Sequence, residues 1–345
     1  AEGTAQYMYD DADWDNWDSH RDMILRDRVI NGNLLSFTEM NTFGKKGIGN
    51  ESTYNSGFAL STYIANEYGS DVLSKIMKEL SSPLQFSINK AFFNVTGTYG
   101  RDIYQDFKIA IEAKYNTLVD PIRVMPVQGE KLQIEGTTNI HPKWHPTENS
   151  YLYLSNKGND YFGQTNLYFH DLNTGEDKKI KSGVYSAPTW HSNGEIIYYS
   201  RKPKFPNKNG SKFYDIYSFN IIDDEEKRLT NDLRAFSPVF IEKDSTIAYL
   251  ATYDGGQDIY LLDLKSNVST KITNFENRPM ISHLSYNKIS KKIYFDITEH
   301  HFRDIYSYDI DSKKIESVSN RSSYDERNIS FDEKGRSVFS QDKSG

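Results

Sequence analysis

Two rhythms divide the chain. Up to about residue 118 apolar side chains recur every three or four positions, the spacing of one helical face. The stretch Thr53 to Tyr68 sets Tyr54, Phe58, Thr62 and Ala65 along one face, and Gly69 is placed to stop that helix. Ser70-Asp71 offers a cap for a second helix, Val72 to Leu80, with Val72, Leu73, Ile76, Met77 and Leu80 turned inward. A third is predicted from Asp102 to Tyr115 on Ile103, Phe107, Ile111 and Tyr115, and another from about Asn16 to Ile30, ended by Asn31-Gly32. Residues 119–130 hold Pro121, Pro126 and Gly129 without a period and read as a linker.

From residue 131 the period becomes two, the alternation of half-buried strands, and the pattern repeats. Short strands begin at Asn166-Leu-Tyr, Asp215-Ile-Tyr, Asp258-Ile-Tyr and Asp304-Ile-Tyr, in steps of 49, 43 and 46 residues. An apolar anchor precedes each, at Trp144, Trp190, Phe240 and Leu284, and Ile329 continues the series. A repeat of about 40–50 residues with four strands is the mark of a propeller blade. Such a blade buries its faces only against its neighbours, so the set stacks radially. Ile180 and Leu229 close their repeats 10 and 11 residues before the next anchor, and Leu132-Gln-Ile134 stands at the same offset from Trp144. That spacing predicts a strand at 132–134 closing a last blade whose other strands would lie beyond Gly345, so that 132–134 would stand at the open edge of an incomplete ring.

The segment Ala187-Pro-Thr-Trp-His-Ser-Asn-Gly-Glu-Ile-Ile-Tyr-Tyr-Ser200, then Asp215-Ile-Tyr, then Lys227-Arg-Leu-Thr230 resembles the TolB-like propeller repeat over residues 131–345. The resemblance implies a six-bladed ring, of which this chain would carry four blades and the start of a fifth. The fold expected is a multidomain α plus all-β chain. Its domains would be a helical one (1–118), a linker (119–130) and an incomplete propeller (131–345).

Composition narrows the function. A net charge of −7 argues against nucleic acid as a partner, because phosphate binding needs a basic face. No apolar run is long enough to span a membrane. Without Cys there is no thiol catalysis, Cys-ligated zinc or disulfide in this span. The Asp10, Asp11, Asp13, Asp15 and Asp18 run lacks the spacing and central Gly of a calcium loop and reads as a solvated acidic loop. His145 and His191 follow the repeat tryptophans where a turn Ser usually stands, so turn formation accounts for them. His300-His301 read as a loop pair. Asp215, Asp258 and Asp304 recur once per repeat, which fits turn capping better than catalysis. No Gly-x-Ser-x-Gly elbow is present.

The first residues, Ala1-Glu-Gly-Thr-Ala-Gln-Tyr7, resemble the third-ligand helix of gluzincin metallopeptidases, and Tyr54-Asn-Ser-Gly-Phe-Ala-Leu60 resembles a helix start of the same clan. By that resemblance Glu2 would be a carboxylate ligand of a catalytic zinc and Tyr54 would donate to the oxyanion formed when zinc-bound water attacks a peptide carbonyl. Gly3 and Ala5 would let this helix approach the zinc helix. The HExxH motif that supplies the other ligands and the general base is absent from the 345 residues and is expected upstream, so this span alone would bind no catalytic zinc and cleave nothing. The resemblance implies a periplasmic, envelope or secreted zinc peptidase. Its substrate would be a peptide or protein, and its propeller would gate access or dock a protein partner. The alternative is a non-catalytic scaffold that binds protein through the propeller face.

Overall fold

Among the described residues, six α-helices precede eighteen β-strands in a computed structural model. It describes residues 2–8, 17, 19–41, 50–159, 161, 163–241, 245–299, 302–319 and 324–342. The Asp10–Asp18 run and His300-His301 lie outside them. Contacts divide the chain after Gln128 into a helical unit and a strand unit. No helix among the described residues is long and apolar enough to cross a membrane.

In the helical unit, α1 (Glu2–Tyr7), α2 (Ser19–Ile30), α3 (Glu51–Tyr68), α4 (Val72–Leu80), α5 (Ile88–Thr96) and α6 (Gly100–Val124) follow one another. Helix α3 ends at Gly69, which takes φ 99° and returns its N–H to the Ala65 carbonyl, a conformation that costs glycine little. The core is built from Leu25 and Val29 of α2, Ile64 of α3, Val72, Leu73 and Ile76 of α4, and Ile103, Phe107 and Tyr115 of α6.

Three local expectations need correction. Met77 is 54% exposed, because the apolar face of α4 is filled by Val72, Leu73 and Ile76. Asp71 makes no side-chain cap bond and pairs with Lys75 at 2.7 Å instead. The segment read as an aperiodic linker from 119 is helical to Val124, since α6 runs through Pro121 on an exposed final turn where losing one N–H bond is tolerable. Helix α5, which the periodicity did not mark, is nine residues long and starts where the Ser87 side chain accepts from the Lys90 N–H.

The strand unit is a propeller of four complete four-stranded blades. Blade 1 is β1 (Asn139–Trp144), β2 (Ser150–Ser155), β3 (Asn166–Asp171) and β4 (Asp177–Ser182). Blade 2 is β5 (Thr189–Trp190), β6 (Ile196–Arg201), β7 (Asp215–Asn220) and β8 (Glu225–Arg228). Blade 3 is β9 (Ala235–Ile241), β10 (Thr246–Tyr253), β11 (Gly256–Asp263) and β12 (Val268–Lys271). Blade 4 is β13 (Met280–Asn287), β14 (Lys292–Glu299), β15 (Phe302–Asp309) and β16 (Ile315–Ser317). A two-stranded sheet, β17 (Glu326–Phe331) and β18 (Ser337–Gln341), follows in the same repeat.

Neighbouring blades bury each other's faces. Leu152 and Leu167 of blade 1 pack on Trp190, Ile197 and Tyr217 of blade 2. Tyr198 and Ile216 then pack on Ile247, Tyr249 and Leu262, and Leu250 and Ile259 on Leu284, Ile293 and Phe295. Blades also touch through their first strands, β5 with β9, β9 with β13 and β13 with β17, which places those strands nearest the axis.

Strand pairing moves two of the expected anchors. Trp144, Trp190 and Phe240 pair with Tyr151, Ile197 and Ile247 of the second strands. In blade 4 the matching Ile293 pairs with Tyr286, while Leu284 sits opposite Phe295, two places nearer the start of the strand. In the last sheet Phe331 holds the anchor place, four residues before Gly335 as Trp190 is before Gly194. It packs on Tyr294 at 4.6 Å, as Phe240 packs on Tyr198 at 5.8 Å. Leu284 and Ile329 are apolar two residues earlier, on the same strand parity, so alternation alone could not separate them from the true anchors.

Residues 132–134 form no strand. Ile180 lies in β4, which is bonded to β3, whereas no strand among the described residues pairs with 132–134. Leu132 and Ile134 are exposed, and the segment is held through Gln133, whose amide donates toward Tyr151 Oη (3.1 Å) and accepts from Tyr153 Oη (3.0 Å).

Candidate functional site

In the helical unit the two peptidase-like motifs meet. Helix α1 crosses α3 at Gly3 and Gly57, where a Cβ on Gly3 would stand 2.0 Å from the Gly57 carbonyl carbon. Only glycine permits this approach, so Gly3 serves the contact with α3, and Ala5 is exposed. Beside the crossing, Thr4 Oγ1 lies 3.3 Å from Ser61 Oγ. A cavity of about 320 Å³ opens there, lined by Glu2, Thr4, Thr53, Ser61, Met40 and Phe92 among others.

Glu2 therefore sits in a cavity wall. Tyr54 is half-buried on α3 but does not line that cavity, so the structure puts the two candidates on packed helices without bringing both into one pocket. As a zinc site the residues present are insufficient. Three protein ligands are needed, Glu2 supplies one, and among the described residues no group of three or more His, Cys, Asp or Glu could hold a metal. No chemical step is derived through zinc.

The second candidate lies inside the propeller and was not marked by the sequence. A cavity of about 320 Å³ is walled by first strands and the turns that follow them. The residue just before each anchor, namely Lys143, Thr189, Val239, Ser285 and Ser330, lines it in every blade and in the last sheet. Two residues earlier, His141 of β1 and His283 of β13 hold equivalent places and stack across the axis, ring centroids 6.5 Å apart and planes within 8°. His141 adopts φ 56° in the bulge of β1, as do Ser237 (54°) and Asn328 (56°) in theirs.

Electrostatics at this axis run one way. Burial, with Lys143 and His141 adding repulsion, pushes His283 down to about 3. Desolvation lowers His141, again with Lys143 contributing, and lowers Lys143 itself. His283 is 5% exposed and its Nε2 has no hydrogen-bond partner. Nearby, Asp296 is fully buried and raised to about 6 by desolvation, although it accepts from the Asn328 N–H (3.2 Å) and Ser282 Oγ (3.3 Å). A correct anchor at Tyr286 would have aligned His283 with His141; counting from Leu284 hid the pair.

The repeated polar residues do structural work. Asp215 is buried and accepts from Thr230 Oγ1 (2.7 Å), Arg228 Nη2 (2.5 Å) and the N–H groups of Asp232 (2.9 Å) and Leu233 (3.2 Å). Asp258 does the same with Thr273 Oγ1 (2.9 Å), the Phe275 N–H (3.2 Å) and Lys271 Nζ (2.7 Å). His145 Nδ1 accepts from the N–H groups of Thr147 (3.2 Å) and Glu148 (3.0 Å) while Nε2 meets the Gly194 carbonyl at 3.0 Å. His191 Nδ1 likewise accepts from the Asn193 N–H at 3.1 Å. Both histidines form turns, as their place in the repeat predicts.

No protein-family model and no curated protein matches the chain. Among solved structures it is similar to TolB from Acinetobacter baumannii, at 20% identity over 57% of this chain and 47% of that one, with a TM-score of 0.46. It is also similar to a putative TolB from Agrobacterium tumefaciens, at 21% identity over 56% of this chain and 65% of that one, TM-score 0.45. A third is the β-propeller domain of the trilobed protease from Pyrococcus furiosus, at 16% identity over 60% and 62%, TM-score 0.45. The chain spans about half the length of the first and under two thirds of the other two. The propeller assignment rests on the blade pairing and interblade packing described above.

Proposed function

We propose that this chain belongs to a zinc metallopeptidase of gluzincin type that carries a TolB-like propeller and works in the periplasm, cell envelope or outside the cell. The helical unit would contribute Glu2 as one zinc ligand and Tyr54 as an oxyanion donor. The other ligands and the general base would come from an HExxH helix upstream of Ala1. The propeller would admit a peptide substrate or dock a protein partner. One observation carries the reading: the glycines of the two peptidase-like motifs, Gly3 and Gly57, touch backbone to backbone, so motifs about fifty residues apart form one structural unit. The chemistry asks for that, because a ligand helix and an oxyanion donor must be fixed relative to each other to act on one carbonyl.

The test uses the protein extended through its upstream reading frame. Glu2→Gln is expected to lower bound zinc, measured by elemental analysis, and Tyr54→Phe to retain zinc while slowing peptide hydrolysis by about 10²–10³. A protein that binds no zinc and cleaves no peptide would favour the non-catalytic scaffold. Unchanged zinc in Glu2→Gln would remove Glu2 from the site.

A further inference from the structure

Lys143 stands at the propeller cavity in a position that repeats in every blade, yet among the described residues it is the only charged occupant of that position. Its equivalents are Thr189, Val239, Ser285 and Ser330, so one ammonium faces a ring that includes three hydroxyls. No carboxylate pairs with it among the described residues. The two acidic residues that line the cavity, Asp332 and Glu333, have cations of their own. Asp332 is held by Arg336 Nε at 2.6 Å, and Glu333 lies 3.7 Å from Lys288 Nζ. Beyond Lys143 the axis adds the His141–His283 pair, and the charge of Lys143 bears on both rings. His283 Nε2 is buried without a partner. In a chain of net charge −7, the axis is thus a local site for negative charge. The wall also carries Lys288, His191 and Ser192, and its apolar part is formed by Pro188, Trp190, Pro238, Phe240 and Phe331.

We propose that this axial cavity is a binding site for a small organic carboxylate, with Lys143 as its charge partner, the Thr189, Ser285 and Ser330 hydroxyls as donors, and the proline and aromatic wall holding the apolar body. Removing an ammonium from water without a counter-ion is unfavourable, and a bound carboxylate supplies that counter-ion through a charge-assisted hydrogen bond, about twice as strong as a neutral one. A cavity of about 320 Å³ suits a ligand of small-molecule size. Nothing in this site requires zinc, so its test is independent of the peptidase reading.

The probes are phenylacetate and its neutral isostere phenylacetamide, titrated into the whole chain by calorimetry and by ligand-observed NMR. Phenylacetate is expected to bind saturably and about tenfold more tightly than the amide, the preference that one charge-assisted contact supplies. Lys143→Met is expected to erase that preference, and Lys143→Arg to keep most of it, with circular dichroism confirming that both variants fold. Equal affinity for acid and amide in the unaltered protein, or no saturable binding of either, would overturn the proposal without reference to any variant. Tighter binding of inorganic phosphate than of phenylacetate would overturn the carboxylate class. An undiminished preference in folded Lys143→Met would remove Lys143 from the site.

Discussion

Two buried polar clusters, one in each unit, are satisfied to opposite degrees. In the propeller, Asp215 is fully buried and every direction around its carboxylate is used: a threonine hydroxyl, an arginine and two backbone N–H groups converge on it. In the helical unit, the first turns of α3 bury Ser52, Asn55 and Ser56 at 1% exposure or less, yet their side-chain oxygens and the Asn55 amide nitrogen have no hydrogen-bond partner among the described residues. Burial is equal and satisfaction is not. A polar group that recurs in each blade has its partners in the same repeat, Thr230 for Asp215 and Thr273 for Asp258, so the repeat itself explains it. A single-copy polar group with no partner is not explained by packing. The difference separates structural polarity from polarity that the fold alone does not require, and it can be tested side by side.

The largest effect belongs to Asp215. Asp215→Ala leaves the Thr230 hydroxyl and the Asp232 and Leu233 N–H groups without their acceptor and Arg228 with Asp232 Oδ1 (3.2 Å) alone, and breaking a buried pair from one side costs about 3–5 kcal/mol. Urea unfolding of the propeller is expected to show a loss of that order. Asp258→Ala is expected to lose less, because the Asp258 side chain is 15% exposed and water can reach its partners. A loss at Asp215 under about 1 kcal/mol, the size of a solvent-exposed pair, would end the contrast between the units.

The second test is acid sensitivity at the axis, where polar burial in the propeller departs from the repeat. His283 is lowered to about 3 by burial and by Lys143 and His141, against an ordinary value near 6.5. Between those values the unfolded chain binds a proton that the folded chain refuses, so stability falls as pH drops through this window. Asp296 has the opposite sign. Raised to about 6, it holds a proton more firmly when folded, and its contribution is lost as pH rises from about 4 to 6. Comparing the protein with His283→Gln isolates the histidine. The variant is expected to gain about 2 kcal/mol relative to the parent on going from pH 7 to pH 5. Parallel stability curves for the two proteins would mean that His283 takes up its proton in the fold as readily as in the unfolded chain.

How much of this was legible in sequence follows the same line. Blades were readable because Asp215-Ile-Tyr, Asp258-Ile-Tyr and Asp304-Ile-Tyr each begin in the first half of a third strand, so one blade teaches the next. Helix ends were readable where glycine must turn the backbone, at Gly32 and Gly69. The anchors of blade 4 and the last sheet slipped by two residues, since Leu284 and Ile329 offer apolar side chains of the same parity as Tyr286 and Phe331. That slip concealed the axial site, because Lys143 and His283 acquire meaning only when first strands from different blades are superposed in register. Residues 132–134 have no bonded partner among the described residues and so form no strand: apolar spacing can suggest a strand, but hydrogen bonding needs a partner. Neither Glu2 nor Tyr54 could be ranked from pattern alone, as each belongs to a motif that occurs once.

The smallest predicted effect is the one that decides what the α3 polar face is. Ser56 is fully buried and its hydroxyl has no partner among the described residues. Removing an unpaired buried hydroxyl returns its desolvation cost, and the small void left by one oxygen offsets part of the gain. Ser56→Ala is therefore expected to be neutral or stabilising, by about 0–1 kcal/mol in thermal or urea unfolding. Ser52→Ala is expected to behave alike, being buried on the same helical face with an unpartnered Oγ. A destabilisation above about 1 kcal/mol in either variant would mean that the hydroxyl has a strong partner, such as a bound water, worth the hydrogen bond it makes. The α3 face would then join Asp215 among the satisfied groups, and the contrast between the two units would become one of partner identity, since the propeller's buried carboxylate draws on protein atoms alone.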